Sequence, residues 1–221
     1  MIAYTLLRIM RHRGLFCNLY DEAPEFKPSV LDALRQPMES GAVLLARASG
    51  AVRYPARFQL ILAANPCPCA AAKDVDCTCA AQVRRRYLGR LSGPLMDRID
   101  IRVDLAALDP ATLTEPGGAG ESSAVVGERV VLARDRAAAR WRGTPWRCAA
   151  EVPGATVRRS WRPDRLEAEL LNRAVRTGRL TGRGYDRVLR LALTAADLAG
   201  RDRPSTADVA TALALRCGEA L

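Results

Sequence analysis

The sequence predicts an α/β half followed by an all-helical half. Three observations carry this. Residues 58–64 (FQLILAA) form an uninterrupted apolar run, the mark of a strand buried on both faces. Residues 99–105 (IDIRVDL) alternate, placing Ile99, Ile101, Val103 and Leu105 on one face, which predicts a further strand. Beyond residue 124 the apolar positions recur at helical spacing instead. Between the halves lies PATLTEPGGAGESS, residues 110–123, whose Gly, Pro and Ser content reads as a linker or long loop.

Each element follows in chain order. LFCNLY, residues 15–20, is a mostly apolar strand candidate that ends in Asp21-Glu22. Ser29 to Met38 reads as a helix begun by Pro28-Ser29 and stopped after Pro37. Ala42 to Ala48 and Ala51 to Tyr54 flank Ser49-Gly50 as the arms of a hairpin. After the linker, Ala124 to Trp141 carries Val126, Val130 and Val131, with Arg134, Arg136, Arg140 and Arg142 towards its end. Pro163 to Val175 opens on a favourable proline and an acidic first turn, Asp164 and Glu167. Tyr185 to Leu198 sets Val188, Leu189, Leu191, Ala192, Ala195 and Leu198 on one broad stripe, and Ser205 caps a last helix through Leu215. No internal repeat is apparent.

Composition narrows the class. The 221 residues carry 34 basic and 24 acidic side chains, for a net charge of +10 and a pI near 9.8, and only Lys27 and Lys73 are not arginines among the bases. At 49% hydrophobic and 26% charged the chain is globular in composition, which argues against wholesale disorder. No apolar run approaches the ~18 residues of a membrane span. Met1 to Met10 is apolar but short, and no small-residue cleavage site follows it, so a cytoplasmic protein without a signal peptide is expected. The basic excess favours a polyanion partner such as nucleic acid. The competing reading is a solvated surface, with the arginine bias a genome effect.

Seven cysteines, an odd number, do not suggest a secreted disulfide framework. Four of them, Cys67, Cys69, Cys77 and Cys79, form C-x-C-x7-C-x-C. Two close thiolate pairs offer zinc its four soft ligands, and Pro66 and Pro68 stiffen the first pair. A free-thiol loop or a labile disulfide is the alternative. Cys17, Cys148 and Cys217 read as scattered small hydrophobes. Trp141, Trp146 and Trp161 alternate with arginines, a pattern that suits stacking on bases or, more often, bridging between packed helices.

A strand ending in Asp-Glu is the Walker B arrangement: the Asp holds Mg²⁺ at the phosphates and the Glu polarises the attacking water. The next buried strand ends in Asn65, and in P-loop ATPases with an additional central strand a polar residue at that tip positions the hydrolytic water. Two acids and an amide at neighbouring parallel strand ends form a phosphate-facing cluster, where α/β sheets bind ligands.

Several separate runs then stand in order: LRQPME at 34–39, YPARF at 54–58, AANPCPC at 63–69, and Tyr87 with RLSGPLMDRID at 90–100. Gly184 to Arg190 (GYDRVLR) and Ala196 to Ala199 (ADLA) follow. Together they resemble the magnesium-chelatase-like AAA+ ATPases of the ComM (YifB) type across residues 21–216. The resemblance implies a partial AAA+ P-loop-type core, a parallel sheet with helices and a pre-sensor-1 hairpin, followed by an all-α lid. It implies ATP and Mg²⁺ as ligands, a hexameric ring, DNA (single-stranded or branched) as partner, and ATP-driven branch migration in recombination and natural transformation. By the same resemblance Asp21 and Glu22 match Walker B and Asn65 matches sensor 1. Arg98 matches the arginine finger that reaches a neighbouring subunit, or else pairs with Asp97 or Asp100. Arg183 matches the ATP-contacting sensor 2, or is a surface residue at a helix start. Arg47, near the hairpin turn, matches a DNA-phosphate contact or is simply exposed.

No G-x4-G-K-[ST] occurs: Lys27 lies between Phe26 and Pro28, and Lys73 between Ala72 and Asp74. The sequence therefore reads as a C-terminal fragment lacking the P-loop and not expected to turn over ATP alone. Its expected divisions are an irregular segment at 1–20, read either as foreign sequence or as the product of a shifted reading frame, a partial ATPase core with the cysteine loop at 21–109, the linker at 110–123 and the helical lid at 124–221. Alternatives are a magnesium chelatase ATPase subunit serving tetrapyrrole metal insertion, or a non-enzymatic remnant that joins rings.

Overall fold

The computed structural model describes residues 16–48, 50–71, 76–105 and 120–218. The chain divides into two compact units, residues 1–99 and 100–221. Most of the expected 110–123 linker, and residues 1–15 of the expected N-terminal segment, lie outside the described residues.

The first unit is mixed α/β. Strand β1 (Phe16–Tyr20) leads through a 3-10 turn (Ala23–Glu25) to helices α1 (Pro28–Ala33) and α2 (Arg35–Ser40). Strands β2 (Ala42–Arg47), β3 (Gly50–Pro55) and β4 (Phe58–Leu62) follow, then helices α3 (Ala81–Leu88) and α4 (Gly93–Met96). β1 and β4 pair in parallel, in register from Phe16 opposite Phe58 to Tyr20 opposite Leu62. The apolar run through β4 is a strand in a parallel pair whose ladder ends at Leu62, but it is not buried on both faces as expected: Gln59 is exposed and the other four residues are only partly buried. β2 and β3 form a small antiparallel sheet, from Ala42 opposite Pro55 to Arg47 opposite Gly50.

The single helix expected over 29–38 is two. Pro37 has no N–H to donate, and its ring crowds the carbonyl four residues back, so it is tolerated only in a first turn. The chain accordingly ends α1 at Ala33 and restarts at Arg35, which places Pro37 third in α2. The buried apolar side chains of this unit include Ala23, Leu31, Ala42, Cys67, Tyr87 and Leu95 among the described residues.

The alternating segment 99–105 is not a strand. Its residues carry no ladder, and Ile101, Val103 and Leu105 are exposed, at 47%, 58% and 74%. One backbone bond, Arg102 N–H to Leu215 O at 2.7 Å, ties it to the last helix. Alternation prepares a face, but a strand also needs a neighbouring strand to pair with.

The second unit is helical: α5 (Ser123–Arg140), a 3-10 turn (Ala149–Glu151), α6 (Gly154–Ser160), α7 (Arg165–Arg176), α8 (Gly182–Leu198) and α9 (Thr206–Cys217). Side-chain caps start four of them. Ser122 accepts from Val125 N–H and Thr181 from Gly184 N–H, while Asp164–Glu167 and Ser205–Asp208 form reciprocal capping boxes. α8 is the hub, packing against α5, α6, α7 and α9. Val188, Leu189, Ala192 and Leu193 on its inner stripe join Leu171, Val157 and Val209 in one apolar core. Trp141 and Trp161 are buried in that core, and Trp146 packs edge-on to Trp141 at 6.0 Å. Of the two readings of these tryptophans, helix bridging is the one the burial favours. Helix α6, which sequence periodicity missed, depends on Gly154: a Cβ there would sit 1.9 Å from Asp186 Oδ2.

Candidate functional site

The parallel register brings the acidic pair and the amide to the same end of two neighbouring strands. Ala63 N–H bonds Tyr20 O at 3.0 Å and Ala63 O accepts from Ala23 N–H at 2.8 Å, so the two chains stay zipped beyond the ladder. Between those bonds Asp21 and Glu22 are extruded, both exposed. Glu22 adopts φ 48°, ψ 47°, a left-handed conformation uncommon outside glycine, and its N–H donates to Asp21 Oδ1 at 3.1 Å. The kink turns the chain off the strand end immediately after the two carboxylates. Asn65, half-buried, follows β4 at the same end.

Two side chains brace this end that sequence reasoning did not assign to it. Tyr87, buried on α3, lies beside the Asn65 backbone; burial pushes its phenol above the ordinary value, with the Glu25 and Glu22 charges adding to the rise. Arg90 donates to Pro24 O at 3.0 Å and pairs with Glu25 at 3.4 Å, fixing the turn that leaves Glu22. Both lie in the quoted motif runs, but only the fold discloses what they touch.

Arg98 is held against its own unit. Its Nη2 donates to Glu39 Oε1 and its Nη1 to Pro94 O, each at 2.6 Å, and its side chain is 10% exposed. Asp100, one of the partners considered for it, pairs with Arg187. Arg183 stands second in α8, exposed, behind the Thr181 cap. Arg47 ends β2 at the closing pair of the hairpin, opposite Gly50.

The four clustered thiols converge. The Sγ atoms of Cys67, Cys69, Cys77 and Cys79 all lie within 4.8 Å of one another, with Cys67 to Cys69 at 3.0 Å, Cys67 to Cys77 at 3.4 Å and Cys69 to Cys77 at 3.7 Å. Tetrahedral zinc with Zn–S near 2.3 Å needs sulfurs about 3.8 Å apart, so the donor set fits with small adjustments. Hydrogen bonds from Cys69 and Cys77 bring the Cys67 thiol down to about 7, and the same pairing raises Cys69. One thiolate stabilised by neighbouring thiols is a partly prepared soft-metal site. Cys148 and Cys217 stand outside the cluster.

Two family models match the chain: magnesium chelatase, subunit ChlI, over residues 9–113, and magnesium chelatase, subunit ChlI C-terminal, over residues 120–216. An uncharacterized protein of Mycobacterium tuberculosis is 50% identical over 205 residues, 93% of this chain and 40% of that protein. The competence protein ComM of Haemophilus influenzae is 36% identical over 196 residues, 89% of this chain and 38% of ComM. The uncharacterized protein YifB of Escherichia coli is 36% identical over 190 residues, 86% of this chain and 36% of YifB. The chain thus spans about two fifths of the length of these relatives. No helix among the described residues is long and apolar enough to cross a membrane.

Proposed function

The chain belongs to the magnesium chelatase ChlI family in its ComM-type form, and from that premise we propose that it is part of an AAA+ ring ATPase that remodels DNA during recombination. The observation that supports this best is the gathering of Asp21, Glu22 and Asn65 at one end of the parallel β1–β4 pair. Asp21 would hold Mg²⁺ there, Glu22 would polarise the attacking water, and Asn65 would position it. Arg98 would spread positive charge over a neighbouring subunit's γ-phosphate, and Arg183 would contact ATP from the helical unit. Among these 221 residues there is no G-x4-G-K-[ST], so the phosphate cradle would come from further chain or another subunit. Zinc, held by Cys67, Cys69, Cys77 and Cys79, would cross-link the loop after Asn65 and so steady that end of the sheet. The competence protein among the relatives and the net charge of +10 support DNA as the partner, with Arg47 a phosphate contact on the hairpin.

The test is binding of fluorescent forked DNA at two salt concentrations, together with the ATPase rate of an intact homologue mixed with this chain. We expect affinity to fall steeply between about 50 and 200 mM salt, and the homologue's rate to change as mixed rings form. No binding at the lower salt, with no rate change at excess chain, overturns the reading. The ChlI description of both matching families favours a second reading, an ATPase subunit for inserting Mg²⁺ into a tetrapyrrole; salt-independent DNA signals with saturable porphyrin binding would select it.

A further inference from the structure

Helix α3 begins two residues after Cys79, so the thiol cluster delivers the chain directly into it. Its single buried side chain is Tyr87, which anchors it beside Asn65. Arg84, Arg85 and Arg86 precede that anchor, and all three are exposed. At 100° per residue they fan across about 200° of the helix surface, with Arg85 about 160° from Tyr87, Arg86 about 100° and Arg84, one turn back on the flank of Tyr87, about 60°.

Their charge is uncompensated. From Cys77 to Met96 the chain holds four arginines and no carboxylate. The fourth, Arg90, is taken by Glu25. Elsewhere in this unit Arg35 pairs with Asp32 and Arg98 with Glu39. Among the described residues no ion pair or side-chain hydrogen bond engages Arg84, Arg85 or Arg86. Arg53 and Arg57 of this unit are likewise exposed without an ion pair among the described residues; what sets Arg84, Arg85 and Arg86 apart is that they stand consecutively on one helix anchored through Tyr87. Favourable interaction with the helix C-terminus accounts for Arg85 and Arg86 in the last turn, but not for Arg84 or for the lack of any counter-charge.

We propose that Arg84, Arg85 and Arg86 form a binding site for the sugar-phosphate backbone of single-stranded nucleic acid. The thiol cluster and Tyr87 fix the helix that presents them. The three positions rise only about 3 Å along the helix axis, so it is the long arginine side chains, fanned around the helix, that would reach two or three successive phosphates. Guanidinium groups suit phosphate oxygens through paired donors, and such contacts bind without reading sequence. This inference rests on DNA being the partner, and goes beyond it by placing the contact on α3, apart from the hairpin.

The experiment is fluorescence anisotropy of the full chain with a labelled single-stranded oligonucleotide across a salt series. Three proteins are compared: the wild type, the variant Arg84→Gln/Arg85→Gln/Arg86→Gln, and a charge-matched control in the helical unit, Arg173→Gln/Arg176→Gln/Arg203→Gln. Circular dichroism and melting confirm that each is folded, and single Arg85→Gln serves if the triple variant is not. The slope of log K against log salt should fall by about 2 in the α3 variant, at ~0.7 per lost phosphate contact, or by about 0.7 in the single one. The control should keep the wild-type slope. An unchanged slope in the folded α3 variants overturns this site while leaving DNA binding intact. An equal fall in the control shows general charge loss and overturns it as well. Absence of wild-type binding at low salt overturns both the site and the DNA reading beneath it.

Discussion

Arg98 and Glu39 form a tight ion pair, 2.6 Å between Nη2 and Oε1, that joins the turn after α4 to the end of α2. An arginine matched to a finger that reaches a neighbouring subunit is therefore steadied by a carboxylate of its own unit. Such a pair sets the direction of the guanidinium, and would steady it if Arg98 acts on a neighbouring subunit's phosphate as proposed.

Glu39→Gln removes the charge and keeps the shape. Glu39 is 47% exposed, so solvent screens the pair and its loss is expected to cost about 1 kcal/mol or less. If Arg98 acts across a ring, the larger effect should be on the change in ATPase rate when the chain is mixed with an intact homologue. A variant that melts like wild type and alters that rate identically would show that Glu39 does not position Arg98.

Replacing any one of Cys67, Cys69, Cys77 or Cys79 by Ser should abolish stoichiometric zinc, read by a chromogenic chelator after denaturation. Cys148→Ser and Cys217→Ser, which lie outside the cluster, should retain about one zinc per chain. Zinc retained in all four cluster variants would sink the site.

Asp197 is buried with its side chain 3% exposed, and Arg140 Nη2 donates to its Oδ1 at 2.5 Å. Removing one member of a buried pair strands the other, so Asp197→Ala should destabilise the helical unit by about 3–5 kcal/mol. Denaturant unfolding measures this, and a loss below about 1 kcal/mol would show the pair to be dispensable.

Asp208 gives the helical unit an acid limit. Burial alone would raise its carboxyl, but hydrogen bonds from the Ser205 backbone and hydroxyl and from Arg201 outweigh it and hold the group below its ordinary 3.8. A depressed carboxyl contributes stability that is complete above its unfolded value and is lost as pH falls through the folded one. Stability should therefore be flat from neutrality to about pH 4 and decline below it, with Asp208→Asn less stable at neutrality and flatter in acid. Parallel pH profiles for the two proteins would refute the assignment.

Trp161→Ala should cost about 3–5 kcal/mol by opening the core that Trp161 fills. The salt dependence of single-stranded DNA binding should stay unchanged, because a side chain 4% exposed is not available to stack on a base. A changed salt slope in the folded variant would restore the stacking role.

Much of the site was legible because its signals are local. An apolar run before Asp21-Glu22 and another before Asn65 needed only residue order to suggest two strand ends, and four cysteines within thirteen positions needed only spacing. What was not legible depended on partners distant in sequence. Nothing around Arg98 indicated Glu39, fifty-nine residues earlier, and nothing around Tyr87 indicated the Asn65 backbone. The alternation of 99–105 promised a strand that no ladder supplies, while α6 carries too short an apolar period to announce itself.

By itself the sequence determined the division into an α/β and a helical half, the cap at Ser205, the hairpin, the convergence-prone cysteines and the absence of a phosphate-cradling lysine. Each is written in neighbouring residues, where sterics and hydrogen-bonding capacity act without reference to the rest of the chain. The tertiary structure decided which charges are spent and which remain. It gave Arg90, Arg98 and Arg140 carboxylate partners, buried Trp141 and Trp161, and left Arg84, Arg85 and Arg86 facing water. Pairing and burial depend on distances through space, and those distances exist only once the strands and helices have packed.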